Sequence, residues 1–282
     1  MVFKDAKKQV VSIFEYDYNK LTMLNNDNFY FKEETTKKHL KNLKECFYTL
    51  INGLNDFKDV INLFTISKNN NRKIKGYNII SYAPYYLCSN LLNNNCILCN
   101  RCYGAKNERF KPVINYRLKN YIFFNFLYSL KFILDYNDLY HFILWEAVKT
   151  NKKLITSKIR LNQQSDIKNN EFLEIFNDMF IYMKYESNNE DMILYTYTKT
   201  TNLNLKALEY GFLINKSVVI NNENINDLNE LNENELNYIC ICDKNIRLDS
   251  KKFKKCLNDC FNCNNCSTHF KNSSNIKYTY LH

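Results

Sequence analysis

The later half of the chain alternates strand patterns with helical patterns, and this alternation limits the fold more than any other feature of the sequence. Runs of β-branched and aromatic residues predict strands, whereas apolar residues spaced three and four apart predict helices. Strands are expected at residues 154–161, 192–198, 213–220 and 237–242, with helices at 170–185, 203–210 and 225–236. Because strand–helix–strand units place their strands side by side and parallel, the sequence predicts an α/β fold. Its core is expected to be a parallel sheet, either open or forming an incomplete barrel.

The first part of the chain is expected to be mostly helical. Apolar residues recur on one helix face within residues 1–72, which we interpret as a helical N-terminal extension. A strand is predicted at 77–83, and two helices are predicted within 104–150. Pro112 and the polar residues 135–138 are expected to interrupt these helices.

The domain organisation is predicted from a polar, basic run at residues 68–73, which marks a boundary. An α/β core domain that contains the cysteine groups is expected at 73–270, followed by a tail at 271–282. The chain has only 4 glycines and 2 prolines, which disfavours an all-β fold built on tight turns. Hydrophobic residues make up 45% of the sequence, so a sizeable core is expected.

The sequence predicts neither an exported protein nor a membrane partner. The N-terminal residues lack the apolar segment of a signal peptide, and the most apolar window, residues 121–134, is too short and too polar to span a bilayer. We therefore expect a cytoplasmic protein whose 11 cysteines are reduced. Metal binding then explains so many cysteines better than disulfides do.

Ten of the 11 cysteines fall into two groups, and each group contains the spacing Cys-x2-Cys-x2-Cys. The first group is Cys88, Cys96, Cys99 and Cys102, and the second is Cys240, Cys242, Cys256, Cys260, Cys263 and Cys266. Three thiolates two residues apart can wrap one face of an iron–sulfur cubane, and a more distant cysteine closes the site. The spacing therefore predicts two [4Fe–4S] clusters. Zinc is the alternative metal, but structural zinc usually takes two separate Cys-x2-Cys pairs and not such a triplet.

The predicted ligands are four cysteines from each group. Cys88, Cys96, Cys99 and Cys102 are assigned to one site, and Cys242, Cys260, Cys263 and Cys266 to the other. Cys242 is preferred to Cys240 because the two share a strand face and only Cys242 reaches the end of the strand. Cys240 and Cys256 are then spare, and Cys46, alone on a helix, is expected to be a small core residue.

Part of the second group has a further interpretation. The spacing Cys256-x3-Cys260-x2-Cys263 matches the three-cysteine motif of radical S-adenosylmethionine enzymes. In those enzymes the motif normally follows the first strand of a barrel, whereas here only 16 residues follow Cys266. S-adenosylmethionine is therefore kept as an alternative cofactor.

Four short motifs occur in the order that they take in a known family. They are residues 99–105 (Cys-Asn-Arg-Cys-Tyr-Gly-Ala), Arg160 with Ser165-Asp166, residues 195–199 (Tyr-Thr-Tyr-Thr-Lys), and Cys260-x2-Cys263-x2-Cys266 with Cys242 upstream. Across residues 75–268 this order resembles the gene product 88 domain family of phage and plasmid proteins. Gln164, Ile167 and Asp243 depart from the family's motifs. The resemblance implies a cysteine-rich iron–sulfur protein of a phage or mobile element, acting in a bacterial host.

Two polar residues are expected at the carboxyl ends of neighbouring strands. Asp166 follows the strand at 154–161, and Lys199 closes the strand at 192–198. The carboxyl ends of parallel strands form one edge where ligands bind, so we expect both residues to converge beside a cluster ligand. They are the candidate catalytic residues, with Lys199 binding an anion and Asp166 orienting a donor or moving a proton. The alternative is an ion pair that ties two loops together.

A basic helix after the first cysteine group is the candidate surface for nucleic acid or a ribonucleoprotein. The net charge of +10 favours an anionic partner. The basic residues of this helix, with aromatic residues between them, are Lys106, Arg109, Lys111, Arg117 and Lys119. The alternative is an ordinary solvated face. The sequence does not indicate an oligomeric state.

Two functional hypotheses follow from these features. In the first, the protein is an iron–sulfur protein with a ligand pocket beside a cluster and redox or S-adenosylmethionine chemistry. In the second, it is a non-enzymatic accessory or anti-defence protein that binds host nucleic acid or a ribonucleoprotein, with clusters that only hold the fold together.

Overall fold

The computed structural model describes residues 1–68, 77–93, 105, 108, 110–161, 166–200, 202–206 and 208–220. Beyond these it describes three strands, Leu236–Ile241, Phe253–Lys255 and Ile276–Tyr280. The side chains of residues 216–220 and of these three strands are outside the description. The predicted acidic helix at 225–236 falls almost entirely outside the described residues.

The N-terminal part is helical, as the sequence predicts. It comprises α1 (Val2–Thr22), α2 (Glu33–Asn52) and α3 (Phe57–Ile61). A fourth, short helix, α4 (Ser89–Leu92), follows Cys88. The α3 helix begins where the Asp56 side chain accepts a hydrogen bond from the Asp59 backbone N–H, at 3.0 Å, which satisfies one of the donors that a helix start leaves unpaired.

Three longer helices follow, α5 (Lys111–Tyr128), α6 (Asn137–Thr150) and α7 (Asn170–Ser187). Pro112 lies in the first turn of α5, where its missing N–H removes no helical hydrogen bond, so it starts the helix that it was expected to interrupt. The predicted break at 135–138 is confirmed, since Asp135 has a φ of 55° between α5 and α6. The Asn169 side chain caps α7 by accepting from the Phe172 N–H, at 3.1 Å.

The strands form one mixed sheet, which confirms the α/β prediction. In chain order they are β1 (Ser67–Lys68), β2 (Asn78–Ile80), β3 (Lys158–Leu161), β4 (Ile193–Thr198), β5 (Phe212–Ile220), β6 (Leu236–Ile241), β7 (Phe253–Lys255) and β8 (Ile276–Tyr280). Within the described part of the chain, the strand order is β1-β2-β3-β4-β5-β6-β8-β7. The pair β1–β2 is antiparallel, and the other described pairs are parallel.

The predicted helix at residues 203–210 is wrong for the residues that are described there, 202–206 and 208–210, which form turns and irregular backbone. The physical reason is competition for backbone N–H groups. The Asn204 N–H donates to the Asn170 side chain at 2.7 Å, and the Glu209 N–H donates to the Asn177 side chain, also at 2.7 Å. The Asn177 amide oxygen replaces the carbonyl acceptor that a helix would have given the Glu209 N–H, whereas the Asn204 N–H would have had no acceptor within a helix that starts at residue 203.

The main core lies between the helices and one face of the sheet, and the N-terminal helices belong to it. Phe14 of α1 stacks on Phe47 of α2 with ring centroids 3.7 Å apart, and both side chains are fully buried. The same cluster includes Phe124 of α5 and Leu194 of β4. The predicted boundary at 68–73 falls largely outside the described residues, but the helices before it share one core with the sheet after it.

The opposite face of the sheet is also buried. Tyr77, Ile79, Tyr195 and Leu213 form a separate cluster there, because strand side chains alternate between faces. Burial on both faces is what parallel strands normally require. None of the helices in the described part of the chain is long and apolar enough to cross a membrane.

Candidate functional site

Asp166 is the centre of a buried junction at the carboxyl edge of the sheet. Its side chain is only 5% exposed. Its carboxylate accepts hydrogen bonds from the Asn90 amide at 2.5 Å, the Lys199 backbone N–H at 2.8 Å and the Ile167 backbone N–H at 3.0 Å. It also accepts from the Thr198 hydroxyl. The junction therefore joins α4 to the segments that follow β3 and β4.

The sequence prediction that Asp166 and Lys199 converge is correct in position, but their contact uses the Lys199 backbone N–H. Two carboxylate oxygens offer about four acceptor sites, and the four donors of the junction occupy them. Such donors offset the free energy of burying a carboxylate. This arrangement favours a structural anchor over the proton-transferring role that the sequence indicated for Asp166.

The junction holds the start of the first cysteine group at this edge. Cys88 is the residue before α4, is partly exposed, and lies two positions before Asn90. The second group reaches the same edge through the chain, since Cys242 directly follows the last residue of β6, Ile241. Among the described residues, Cys88 therefore lies near the edge at which β6 ends.

The remaining predicted ligands lie outside the described residues; they are Cys96, Cys99, Cys102, Cys242, Cys260, Cys263 and Cys266. Across the described residues, no three Cys, His, Asp or Glu side chains come close enough to hold a metal ion. Since Cys88 is the only predicted ligand with a described side chain, that finding does not bear on either site. Cys46 is buried in the core as predicted, and burial raises the pKa of its thiol.

Glu108 closes the segment that carries the first cysteine group. Its side chain is fully buried and accepts hydrogen bonds from the Tyr85 backbone N–H, at 3.0 Å, and from the Arg117 guanidinium. Tyr85 precedes Cys88, and Glu108 follows Cys102. One carboxylate thus ties the two ends of the cysteine-bearing segment to each other and to α5.

Two buried polar atoms beside this segment lack a hydrogen-bond partner in the described structure, Ser89 Oγ and Glu108 Oε2. Burial raises the pKa of Glu108, and the charge of Arg117 opposes that shift. Sulfur atoms of thiolate-ligated clusters accept hydrogen bonds, so the Ser89 hydroxyl, next to Cys88, is a suitable donor. Together with the thiolate spacing, this unpartnered hydroxyl fits a cluster at the first group.

The predicted basic surface is wrong for Arg117, which is 4% exposed and paired with Glu108. The cause is that α5 packs against α1, α2 and α7, so most of its faces are buried. Lys111 is exposed and Lys119 half-buried. Lys106 and Arg109 lie outside the described residues.

Sequence reasoning missed Glu108, although it carried a signal. Glu108 is the lone acidic residue in a basic stretch that runs from Lys106 to Lys111. An isolated acid among basic residues has several possible cationic partners. The sequence does not show that Glu108 pairs with Arg117, because this pairing depends on how the chain folds. No protein-family model matches the chain, and no curated protein or solved structure is detectably similar to it. The path of the chain that pairs Glu108 with Arg117 therefore could not be taken from a relative.

Proposed function

We propose that the protein is an iron–sulfur protein that holds two [4Fe–4S] clusters at the carboxyl edge of its sheet. The first uses Cys88, Cys96, Cys99 and Cys102, and the second uses Cys242, Cys260, Cys263 and Cys266. The observation that carries the proposal is the hydrogen bond from Asn90 to Asp166, at 2.5 Å. It holds Asn90, two residues after Cys88, at the edge of the sheet where β6 also ends, and this supports placing both clusters there.

The clusters would supply one-electron redox chemistry when bound. The chain's own residues hold and orient the sites. Glu108 closes the first cysteine segment, Asn90 and Asp166 fix its start, and Ser89 has a free hydroxyl beside Cys88. A phage or mobile-element origin and a bacterial cytoplasmic location are part of this proposal, and they rest on the resemblance of the motifs.

Anaerobic purification tests the metal. We expect a brown protein with broad absorbance at about 400 nm, about eight iron atoms per chain and a matching amount of acid-labile sulfide. A colourless protein with stoichiometric zinc would replace the clusters with structural zinc sites. Zinc would leave the fold proposal intact and remove the redox function.

Single substitutions test the ligand assignment. Cys242→Ser is expected to lose about half of the iron, because it removes one thiolate of the second cluster. Cys256→Ser serves as the matched control and is expected to retain all of it. Loss of iron in Cys256→Ser with retention in Cys242→Ser would show that the second site uses the other cysteine.

A further inference from the structure

A cleft of about 250 Å³ opens where α1, α5 and the start of α7 meet. Its lining includes Tyr16 of α1, Asn125 and Tyr128 of α5, and Lys168, Asn169 and Phe172 around the start of α7. None of these residues is a predicted metal ligand or part of the Asp166 junction. The cleft is therefore a separate site, and nothing in the proposed iron–sulfur function uses it.

One wall of the cleft is aromatic, with Tyr128 partly exposed and Phe172 buried behind it. The rings of Tyr128 and Phe172 are stacked nearly parallel, with centroids 5.2 Å apart and an interplanar angle of 8°. Tyr16, on the α1 side, is 60% exposed, and the Lys20 ammonium lies over its ring at 4.8 Å. Tyr16 and Tyr128 are the lining aromatic residues with exposed surface, and stacking on such a ring is favourable for a heteroaromatic ligand ring.

The floor of the cleft includes a polar atom that needs a donor. Asn125 is fully buried, and its amide N–H donates to the Tyr121 carbonyl at 2.8 Å. Its Oδ1 has no hydrogen-bond partner among the described residues. An unpartnered buried carbonyl is destabilising, and a ligand N–H would satisfy it. The floor therefore offers an acceptor to a ligand ring that carries an N–H donor.

The rim of the cleft carries an ammonium group that is paired with a carboxylate. Lys168 contacts the buried carboxylate of Asp17 at 3.5 Å, and its side chain remains 30% exposed. Lys168 lies immediately before the Asn169 cap of α7, where the backbone dipoles of the 18-residue helix also favour an anion. An ammonium has three hydrogens, and the contact to Asp17 occupies one of them.

We propose that this cleft binds a nucleoside monophosphate with an amino-substituted base. The base would stack on the aromatic wall and donate its exocyclic N–H to Asn125 Oδ1, while the phosphate contacts Lys168. A cavity of about 250 Å³ is small for a ligand site, which favours a mononucleotide over a dinucleotide cofactor. The same chemistry is carried by a free nucleotide and by one residue of a nucleic-acid strand, and we assign the free nucleotide.

Calorimetric titration of the full chain with adenosine monophosphate and with adenosine tests this assignment. We expect the nucleotide to bind and the nucleoside to bind about tenfold more weakly, since the phosphate adds a charge-assisted contact. An analogue with both hydrogens of the exocyclic amine replaced by methyl groups is expected to lose about tenfold in affinity. That analogue tests the Asn125 contact without altering a buried residue.

Two rim variants and a control complete the test. Lys168→Gln should abolish the difference between nucleotide and nucleoside, and Tyr16→Ala should weaken both. Lys153→Gln, at an exposed lysine outside the cleft, should bind as the wild type does.

The proposal is overturned if adenosine monophosphate produces no saturable heat, or if Lys168→Gln and Lys153→Gln weaken binding equally. Binding of a short RNA strand without binding of the mononucleotide would likewise overturn it. Iron content, measured on the same samples, reports separately on the metal sites.

Discussion

At the scale of single residues, Glu108 connects the segment before the first cysteine group to the helix α5 after it. Its carboxylate and the Arg117 guanidinium are a buried ion pair, and Tyr85 adds a backbone donor. Both side chains are buried, so solvent does not replace a lost partner. Removal of one member therefore leaves an unpaired charge in the interior.

We predict that Glu108→Gln lowers the free energy of unfolding by about 3–5 kcal/mol, the usual loss when one partner of a buried pair is removed. Urea unfolding followed by the fluorescence of Trp145, the sole tryptophan of the chain, measures this loss. The double variant Glu108→Gln/Arg117→Met should recover part of it, because no unpaired charge remains. Glu45→Gln, at an exposed ion pair, is the matched control. A loss in the control as large as that in Glu108→Gln would contradict the interpretation.

His39 gives the fold a dependence on pH. It is 6% exposed and its Nδ1 lies 2.9 Å from the Tyr86 hydroxyl. Burial lowers the pKa of His39, and nearby Lys38 lowers it further. The unfolded chain therefore takes up a proton below the ordinary histidine pKa of about 6.5, at pH values where the folded chain does not. The contribution of neutral, buried His39 to the free energy of unfolding is therefore complete above a pH of about 6.5. It is lost as the pH falls toward the lowered pKa of His39 in the folded chain.

The matching experiment compares unfolding free energies between neutral and mildly acidic pH. Wild-type stability is expected to fall as the pH is lowered through the histidine range, and His39→Gln should flatten that decline. His141→Gln is the control, since His141 is also hydrogen-bonded, to Tyr182 at 2.9 Å, but at an exposed site. An unchanged pH profile in His39→Gln would exclude His39 as the source.

At the scale of elements, the Asp166 junction joins a helix to the ends of two strands. We predict that Asp166→Asn lowers the unfolding free energy by about 2–3 kcal/mol, because the new amide group meets donors that previously bonded a carboxylate. Lys199→Met should cause a clearly smaller loss, since the backbone N–H that bonds Asp166 is retained. Thermal unfolding and iron content measured on both variants decide between anchor and catalyst. A catalytic role would instead appear as full stability and full iron content in Asp166→Asn together with loss of biological activity.

The strands β3 to β6 and the helix α7 were predictable because their patterns are local, whereas the short strands β7 and β8 were not predicted. The strand predicted at 192–198 is β4 (Ile193–Thr198), and the helix predicted at 170–185 is α7 (Asn170–Ser187). The predicted helix at 203–210 was wrong because its N–H groups bond side chains of α7, which only the folded chain brings near. The cleft was missed for the same reason. Asn125 and Lys168 carry no shared motif, and they become neighbours only when α5 packs beside the start of α7.

At the scale of the whole molecule, the N-terminal helices are part of the core that the sheet shares. We predict that Phe14→Ala lowers the unfolding free energy by about 3–5 kcal/mol, because it empties a site stacked against Phe47. Tyr16→Ala, on the exposed side of the same helix, should change stability by no more than about 0.5 kcal/mol. Chemical unfolding of both variants provides the comparison. Equal, small losses would show that α1 is a dispensable extension.

The order of the strands also has a consequence for protein synthesis. From β2 to β6, each strand lies beside the one translated just before it, so the sheet can grow at one edge while the chain is still on the ribosome. The described pairing of β7 is with β8, and β8 lies between β6 and β7. A nascent chain that has emerged only as far as β7 therefore leaves β6 with unpaired backbone groups, which other chains can join. Pairing of residues 276–280 with β6 covers that edge and admits β7 in the same step, so any delay before these residues emerge and join the sheet prolongs the exposure of the β6 edge.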